Sequence, residues 1–186
     1  MYGGAFDPPH NAHVALARAA VEQLQLDGLR IVPTGNAWHK TRELTPATDR
    51  LAMAKIAFRD IPKSRVDDRE VMRTGATYTI DTLRELQREL PGVELFLVMG
   101  EDQAAAFTTW REWQEIVKIA KLCVAKRAST GSAGTGVAFV PLQLPSMPES
   151  ATEIRHLVAN GEDVSSLVPP AVASYIASHH LYSQGN

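Results

Sequence analysis

At 186 residues, with 45% hydrophobic and 22% charged side chains, residues 1–186 have the length and composition of one ordinary globular domain. A net charge of -2 argues against a nucleic-acid partner, which needs a clustered basic surface, although a local cluster can still hold a small phosphate ligand. The single cysteine, Cys123, excludes an internal disulfide and a cysteine metal cage. Neither a stretch of transmembrane length nor a signal-peptide pattern is present, so we expect a cytoplasmic protein without a membrane partner.

The stretch GGAFDPPHNAH near the start of the chain predicts a loop that leads into a helix and binds phosphate. Gly3 and Gly4 allow the backbone to turn sharply and approach a ligand closely. Asn11 is the expected N-cap of the helix, with apolar residues at helical spacing behind it. His10 and His13 can face the same space, where the N–H groups and positive dipole of the first helical turn favour an anion.

The strand that should precede this loop is unusually short. A glycine-rich loop that feeds a helix normally follows a strand of about five residues, yet only Met1 and Tyr2 precede Gly3. We therefore expect a start codon assigned too late, a truncated chain, or an opening strand reduced to a stub.

Strand and helix patterns alternate along most of the remaining chain. This alternation predicts a doubly wound α/β fold with a mostly parallel sheet and right-handed crossovers, closed by a small C-terminal helical appendage. The tracts TGNAWHKTRELTP and ASTGSAGTG have the composition of loops. The predicted elements are a strand at 29–32, a helix from about 46 to 59, a weak strand within 64–71, a helix at 77–90, a strand in VELFLVMG that is buried on both faces, a helical region around Trp110 and Trp113, strands in LCVAKR and GVAFVPL, and short helices at 150–159 and 170–180.

A second candidate site lies in ESATEIRHL near the end of the chain. Ser150 followed by Glu153 has the pattern of a capping box, which many helices carry without binding a ligand. A helix N-terminus with Arg155 near its first turns can also hold a polyphosphate. The residues alone leave both interpretations open.

These two stretches together resemble the HxGH-type nucleotidylyltransferases. In GGAFDPPHNAH, Ala12 stands where the family signature His-x-Gly-His has its glycine. ESATEIRHL is similar to the second signature, Ile-Ser-Ser-Thr-x-Ile-Arg. The resemblance covers nearly the whole chain and implies the family's Rossmann-like fold. In the second signature the matching residues are Ser150, Thr152, Ile154 and Arg155, and the departures are Glu149 and Ala151.

The resemblance is greatest to the branch that transfers AMP from ATP to nicotinate mononucleotide, which would give deamido-NAD and pyrophosphate. It implies an in-line attack without a covalent intermediate. The attacking phosphomonoester is already largely dianionic at pH 7, so the protein only has to position the reactants and stabilise charge. Mg²⁺ is expected to bind through the ATP phosphates, without a protein metal site.

The resemblance also implies which residues meet ATP. Catalysis is assigned to His10, His13 and Arg155. Asp102 is expected to contact the ribose hydroxyls. It follows a buried strand directly, and open α/β sheets bind ligands at the carboxyl ends of their strands. The full set of expected ATP-binding residues is Gly3, Gly4, Phe6, His10, His13, Lys40, Gly100, Asp102, Ser150, Thr152 and Arg155.

The acceptor residues follow from two softer matches, TGATYTIDTLRE and GEDQAAAFTTW. Trp110 is expected to stack on the pyridine ring, which we favour over the alternative that Trp110 and Trp113 are ordinary core residues. Lys126 and Arg127 could reach the acceptor phosphate or simply face solvent. The expected acceptor-binding residues are Asp7, Thr77, Tyr78, Trp110 and Arg127.

Two rival functions stay open at this stage. One is another enzyme of the superfamily, with phosphopantetheine or a phosphorylated alcohol as acceptor. The other is a nucleotide-binding module without catalysis, which Ala12, Ala151 and the short first strand would suit. A dinucleotide-dependent oxidoreductase is disfavoured because no G-x-G-x-x-G follows a predicted strand.

Overall fold

The computed structural model describes residues 1–35, 43–126 and 136–183. Within these ranges six strands form one sheet, and they are β1 (Tyr2–Gly4), β2 (Leu29–Pro33), β3 (Ser64–Val66), β4 (Leu95–Met99), β5 (Ala120–Lys126) and β6 (Val140–Gln143). The helices of the same ranges are α1 (Asn11–Gln23), α2 (Ala47–Phe58), α3 (Arg69–Met72), α4 (Thr79–Glu89), α5 (Glu101–Ala105), α6 (Trp113–Ile119), α7 (Ala151–Ala159) and α8 (Pro170–Ser178), with a 3-10 turn at Phe107–Thr109.

The sheet has the strand order β3-β2-β1-β4-β5-β6, and every neighbouring pair of strands is parallel. The predicted doubly wound α/β fold is therefore confirmed. Strand order reverses between β1 and β4, and in open α/β sheets the crevice beyond the carboxyl ends of the strands at such a point is where ligands bind. The loop that leads to α1 leaves β1 at this point, and α5 begins directly after β4.

β1 is short but central. Gly3 and Gly4 pair with residues of β2, and Tyr2 pairs with Val98 of β4. The Met1 carbonyl extends the second pairing by accepting a hydrogen bond from the backbone N–H of Val98 at 2.9 Å. The two glycines thus belong to a stub of a strand and not, as predicted, to the loop that follows it.

Both faces of the sheet are covered by apolar side chains. Ile31 and Val32 are consecutive in β2, and they enter two different core clusters. Leu97 and Val98 of β4 do the same. Successive side chains of a strand point to opposite faces, so the sheet is buried on both sides, as predicted for β4.

The C-terminal helices are part of the main core. Ile154 of α7 and Val172 and Ile176 of α8 belong to the same buried cluster as Tyr2 and Phe58. The expected C-terminal helical part is thus present, and its apolar side chains pack into the core on one side of the sheet.

Three other predicted boundaries change. α1 is capped by His10, because the carbonyl of His10 already accepts hydrogen bonds from the backbone N–H groups of His13 and Val14. The weak strand at 64–71 is shortened to β3 and followed by α3. The strand predicted in GVAFVPL begins only at Val140 and ends one residue beyond that stretch, at Gln143, as β6, which pairs with β5.

No helix among the described residues is long and apolar enough to cross a membrane. Much of the two predicted loop tracts lies outside the described residues, in 36–42 and 127–135, together with Lys40 and Arg127.

Candidate active site

The two histidines of the first signature lie against each other at the start of α1. Their ring centroids are 3.7 Å apart, and the backbone N–H of His10 donates a hydrogen bond to Nδ1 of His13 at 3.2 Å. A neutral imidazole has one donor and one acceptor nitrogen, so His13 carries its proton on Nε2. His13 is therefore prepared to donate a hydrogen bond to an anion.

Burial keeps both imidazoles neutral. It lowers the pKa of His10 to about 4. Burial, followed by repulsion from His10, lowers the pKa of His13 well below its usual value. Nδ1 of His10 is buried and has no hydrogen-bond partner among the described residues. An unsatisfied polar atom of this kind marks a place where a further partner can bind.

Phe6 is a buried neighbour of the histidine pair. Its ring packs edge-on to His13, with the centroids 5.2 Å apart, and only 1% of the residue is exposed. A Cβ added to Gly4 would lie 3.0 Å from the Phe6 ring, so the glycine makes room for that ring. The ring of Phe6 is buried beneath His13, and the expected contact of Phe6 with ATP stays a prediction.

Arg50 is a structural residue of the site that the sequence analysis missed. Only 1% of it is exposed, and its guanidinium donates hydrogen bonds to four carbonyl oxygens that surround the ends of β1 and β2. A buried charge needs such partners. The available signal was its helical position, three and four residues before the buried Met53 and Ala54. The carbonyl acceptors are those of Ala5, Thr34, Gly35 and Thr45.

Asp7 ties the first signature to three other parts of the chain. Oδ1 accepts a hydrogen bond from the hydroxyl of Tyr182 at 2.7 Å, and Oδ2 accepts one from the backbone N–H of Thr45 at 3.3 Å. The main-chain oxygen accepts a hydrogen bond from Nη1 of Arg155 at 2.7 Å. Asp7 is only 2% exposed. These partners give its carboxylate a structural role, and its expected contact with the acceptor stays a prediction.

The second signature therefore lies beside the first. Arg155 and Asp7 are 148 positions apart in sequence, and Nη2 of Arg155 also donates a hydrogen bond to Oγ1 of Thr152 at 3.1 Å. Ser150 caps α7 by accepting a hydrogen bond from the backbone N–H of Glu153 at 3.2 Å. The capping interpretation of Ser150 is thus confirmed, and the same helix N-terminus faces the first loop through Arg155.

Two further residues that were expected to bind ATP, Gly100 and Asp102, lie directly after β4. Gly100 precedes α5 as its N-cap, and Asp102 is exposed in the first turn. Because β4 is parallel to β1 and next to it, both residues lie at the same end of the strands, the carboxyl end, as the histidine pair.

The predicted acceptor residues are held mainly by ring contacts. Tyr78 is the N-cap of α4, and the guanidinium of Arg111 lies 4.5 Å from the centroid of its ring. Trp110 is half-buried and packs against Phe107, with the ring centroids 5.5 Å apart. Trp110 thus makes the contact expected of a core residue, and it also has the exposed surface that stacking on a pyridine ring requires.

The end of β2 packs tightly against α3 and the start of α4. A Cβ on Gly35 would lie 1.9 Å from the carbonyl oxygen of Glu70, so only glycine fits there. The buried Glu70 carboxylate accepts a hydrogen bond from the Thr82 hydroxyl at 2.7 Å and is also hydrogen-bonded to Thr77. Burial raises the pKa of Glu70. The Thr77 side chain therefore faces the protein interior, and its expected place in the acceptor pocket stays a prediction.

Among the described residues, no group of three or more His, Cys, Asp or Glu side chains could hold a metal ion.

Residues 1–157 match the cytidylyltransferase-like family. The chain therefore belongs to the cytidylyltransferase-like family, and it is a nucleotidyltransferase. This confirms the enzyme class implied by the two signatures.

Its relatives place it more closely, with the nicotinate-nucleotide adenylyltransferases. A protein of Albidiferax ferrireducens named as a probable nicotinate-nucleotide adenylyltransferase is 51% identical over 190 residues, which cover 98% of this chain and 96% of that protein. A protein of the same name from Methylibium petroleiphilum is 42% identical over 193 residues, covering 98% of this chain and 91% of that protein. The resemblance to the nicotinate-nucleotide branch is thereby confirmed.

A solved structure shows the same fold. The Plasmodium falciparum nicotinic acid mononucleotide adenylyltransferase complexed with NaAD superposes with a TM-score of 0.80 at 19% identity, covering 97% of this chain and 95% of that one. At this identity the likeness concerns the fold alone.

Proposed function

We propose that the protein transfers the adenylyl group of ATP to nicotinate mononucleotide, giving deamido-NAD and pyrophosphate in NAD biosynthesis. The hydrogen bond from Arg155 to the main-chain oxygen of Asp7 is the observation that carries the proposal, because it joins the two signature stretches at the switch point of the sheet. The identity of the acceptor is supported by the names of the relatives.

The reaction needs positioning more than proton transfer. An oxygen of the acceptor's phosphate attacks the α-phosphorus of ATP, a new P–O bond forms, and the bond to the departing pyrophosphate breaks in line with it. Neutral His13 donates from Nε2 to a phosphate oxygen as charge develops, and His10 assists beside it. Arg155 supplies the positive charge.

The other ATP contacts follow from the elements around this centre. We assign Ser150, Thr152 and Arg155 to the β- and γ-phosphates, because they form the first turns of α7. Asp102 is assigned to the ribose hydroxyls beyond Gly100. Lys40 lies outside the described residues, and its contact with ATP stays a prediction.

The acceptor is assigned to the side of the site formed by Tyr78 and Trp110. The indole of Trp110 would stack on the pyridine ring, which is worth about 0.5–1.5 kcal/mol beyond the buried area. Arg127 lies outside the described residues and stays a prediction.

Mg²⁺ enters the proposal as part of the ATP substrate. It would be bound by phosphate oxygens and water, since the described residues form no metal-binding group. The cytoplasmic location expected from sequence stays a prediction.

The test is to incubate the protein with ATP, Mg²⁺ and one acceptor at a time, and to follow pyrophosphate and the dinucleotide product. We expect turnover with nicotinate mononucleotide and little with phosphopantetheine or a phosphorylated alcohol. Binding of ATP without pyrophosphate release for every acceptor would contradict the proposal and favour a non-catalytic nucleotide-binding module.

A further inference from the structure

The C-terminal segment, residues 163–183, reaches the first signature from the far end of the chain. The backbone N–H of Asn11 donates a hydrogen bond to the carbonyl of Leu167 at 3.0 Å, and the Asn11 side chain donates one to the carbonyl of Ser166 at 2.9 Å. The start of α1, one residue after His10, is therefore fixed by this segment.

Tyr182 makes the second connection. Its hydroxyl donates a hydrogen bond to Oδ1 of Asp7 at 2.7 Å across 175 positions of sequence. Thr45 hydrogen-bonds to Tyr182 as well and donates its backbone N–H to the other carboxylate oxygen of Asp7. Burial and the neighbouring carboxylate raise the pKa of Tyr182, so the phenol stays protonated and remains a donor.

Asp7 connects Tyr182 to the residues that are assigned to catalysis, His10 and Arg155. It lies three residues before His10, and its main-chain oxygen accepts the hydrogen bond of Arg155. If the Tyr182 hydroxyl is removed, the buried Asp7 carboxylate loses one of its hydrogen-bond donors, and the loop has to shift to compensate or to let a water molecule take the place of the hydroxyl. Such a shift displaces the His10 loop relative to Arg155.

We propose that Tyr182 is a positioning residue of the adenylyl-transfer site. Its hydroxyl holds Asp7, and Asp7 keeps the His10 loop and the Arg155 guanidinium in register around the triphosphate. Tyr182 does not touch the substrate, so its effect belongs to the chemical step and not to the binding of ATP. This inference rests on the proposed function.

A matched pair of variants tests the inference. Tyr182→Phe removes only the hydroxyl that bonds Asp7. Tyr175→Phe removes an equivalent hydroxyl of the same segment, which donates to Asp49 of α2 at 2.9 Å. Both should lower the urea midpoint, Tyr182→Phe by more, because Asp7 is only 2% exposed whereas Asp49 is half-buried. Only Tyr182→Phe should lower kcat, by about tenfold, with the KM for ATP changed less than about threefold.

A double variant shows whether Tyr182 acts through Asp7. In the Asp7→Ala background, Tyr182→Phe should change kcat by less than about twofold, because Asp7→Ala has already removed the acceptor of this hydrogen bond. The proposal is overturned if Tyr182→Phe lowers kcat no more than Tyr175→Phe does, or if the effects of Tyr182→Phe and Asp7→Ala multiply. If the wild-type protein makes no deamido-NAD, the proposed function itself fails, and this outcome is visible before any variant is compared.

Discussion

The two halves of the candidate site are held in different ways. Around the first signature, the polar side chains of Asp7, Arg50 and His10 are each less than 10% exposed, and the first two have hydrogen-bond partners from distant parts of the chain. On the acceptor side, Tyr78 and Trp110 are half-buried and are held by ring contacts near the surface.

This difference indicates that the two halves of the candidate site have different roles. The ATP half is organised before any substrate arrives, so that its donors need not rearrange as charge develops. The acceptor half mainly offers surface for stacking. We therefore expect variants of the ATP half to change catalysis and stability, and variants of the acceptor half to change affinity for one substrate.

The largest effect should come from His13. His13→Ala removes the hydrogen-bond donor at Nε2, and we expect kcat/KM to fall by about 100- to 1000-fold in steady-state assays. His156→Ala is the matched control, because His156 is exposed on α7 next to Arg155. The control should stay within about twofold of wild type. A His13→Ala enzyme that keeps more than about a tenth of the activity would contradict the role of His13.

Arg50 tests how far the ATP half depends on a buried charge. In Arg50→Lys the rigid guanidinium fork is lost, so several of the carbonyl oxygens are left without a donor. We expect the free energy of unfolding to fall by about 2–4 kcal/mol in urea titrations. Arg59→Lys, on an exposed side chain just after α2, should change it by less than about 0.5 kcal/mol. Equal effects of the two variants would show that the Arg50 contacts contribute little.

The pH dependence of stability tests the burial of His10. Its pKa is about 4 in the folded protein and near 6.5 when unfolded, so between these values the unfolded chain binds a proton that the folded one does not. Stability should therefore fall as the pH drops through this window, and His10 should account for about 1–2 kcal/mol of the loss between pH 7 and pH 5.

Urea titrations at the two pH values measure this contribution as the difference between wild type and His10→Gln. In the variant the loss between pH 7 and pH 5 should be smaller. The exposed-site control His156→Gln should lose as much stability as wild type. If His10→Gln and wild type lose the same amount, the imidazole of His10 is not held neutral by burial.

The smallest effect concerns Trp110. Trp110→Leu keeps an apolar side chain but removes the stacking surface, and we expect the KM for nicotinate mononucleotide to rise about two- to tenfold. The KM for ATP should not change. Trp113→Leu is the control, because Trp113 also packs on Phe107, at 6.2 Å between centroids. Were Trp113→Leu to raise the same KM equally, Trp110 would be an ordinary core residue.

The same contrast explains what the sequence could predict. β4 was predictable because a continuous apolar run indicates a strand buried on both faces. The helices around α2, α4, α7 and α8 were predictable from periodicity and from end signals. The two signature stretches located the histidine pair and Arg155, because the residues proposed to act in catalysis lie in short, recognisable strings.

The sequence could not predict contacts that join distant positions. Asn11 has the side chain preferred at an N-cap, yet the helix begins one residue earlier, and Asn11 instead bonds to the segment at Ser166 and Leu167. Tyr182 and Asp7 give no local sign of their contact. The burial of the Phe6 ring gives no local sign either, because it depends on the packing of Gly4 and His13.

The account depends most on one arrangement, in which the His10 and His13 pair and Arg155 surround the same triphosphate. A structure with a non-hydrolysable ATP analogue tests it directly. We predict Nε2 of His13 and the guanidinium of Arg155 within hydrogen-bonding distance, about 2.7–3.2 Å, of oxygens of one triphosphate. A triphosphate that contacts the histidines but leaves Arg155 on Asp7 alone, or one bound elsewhere on the sheet, would contradict the account.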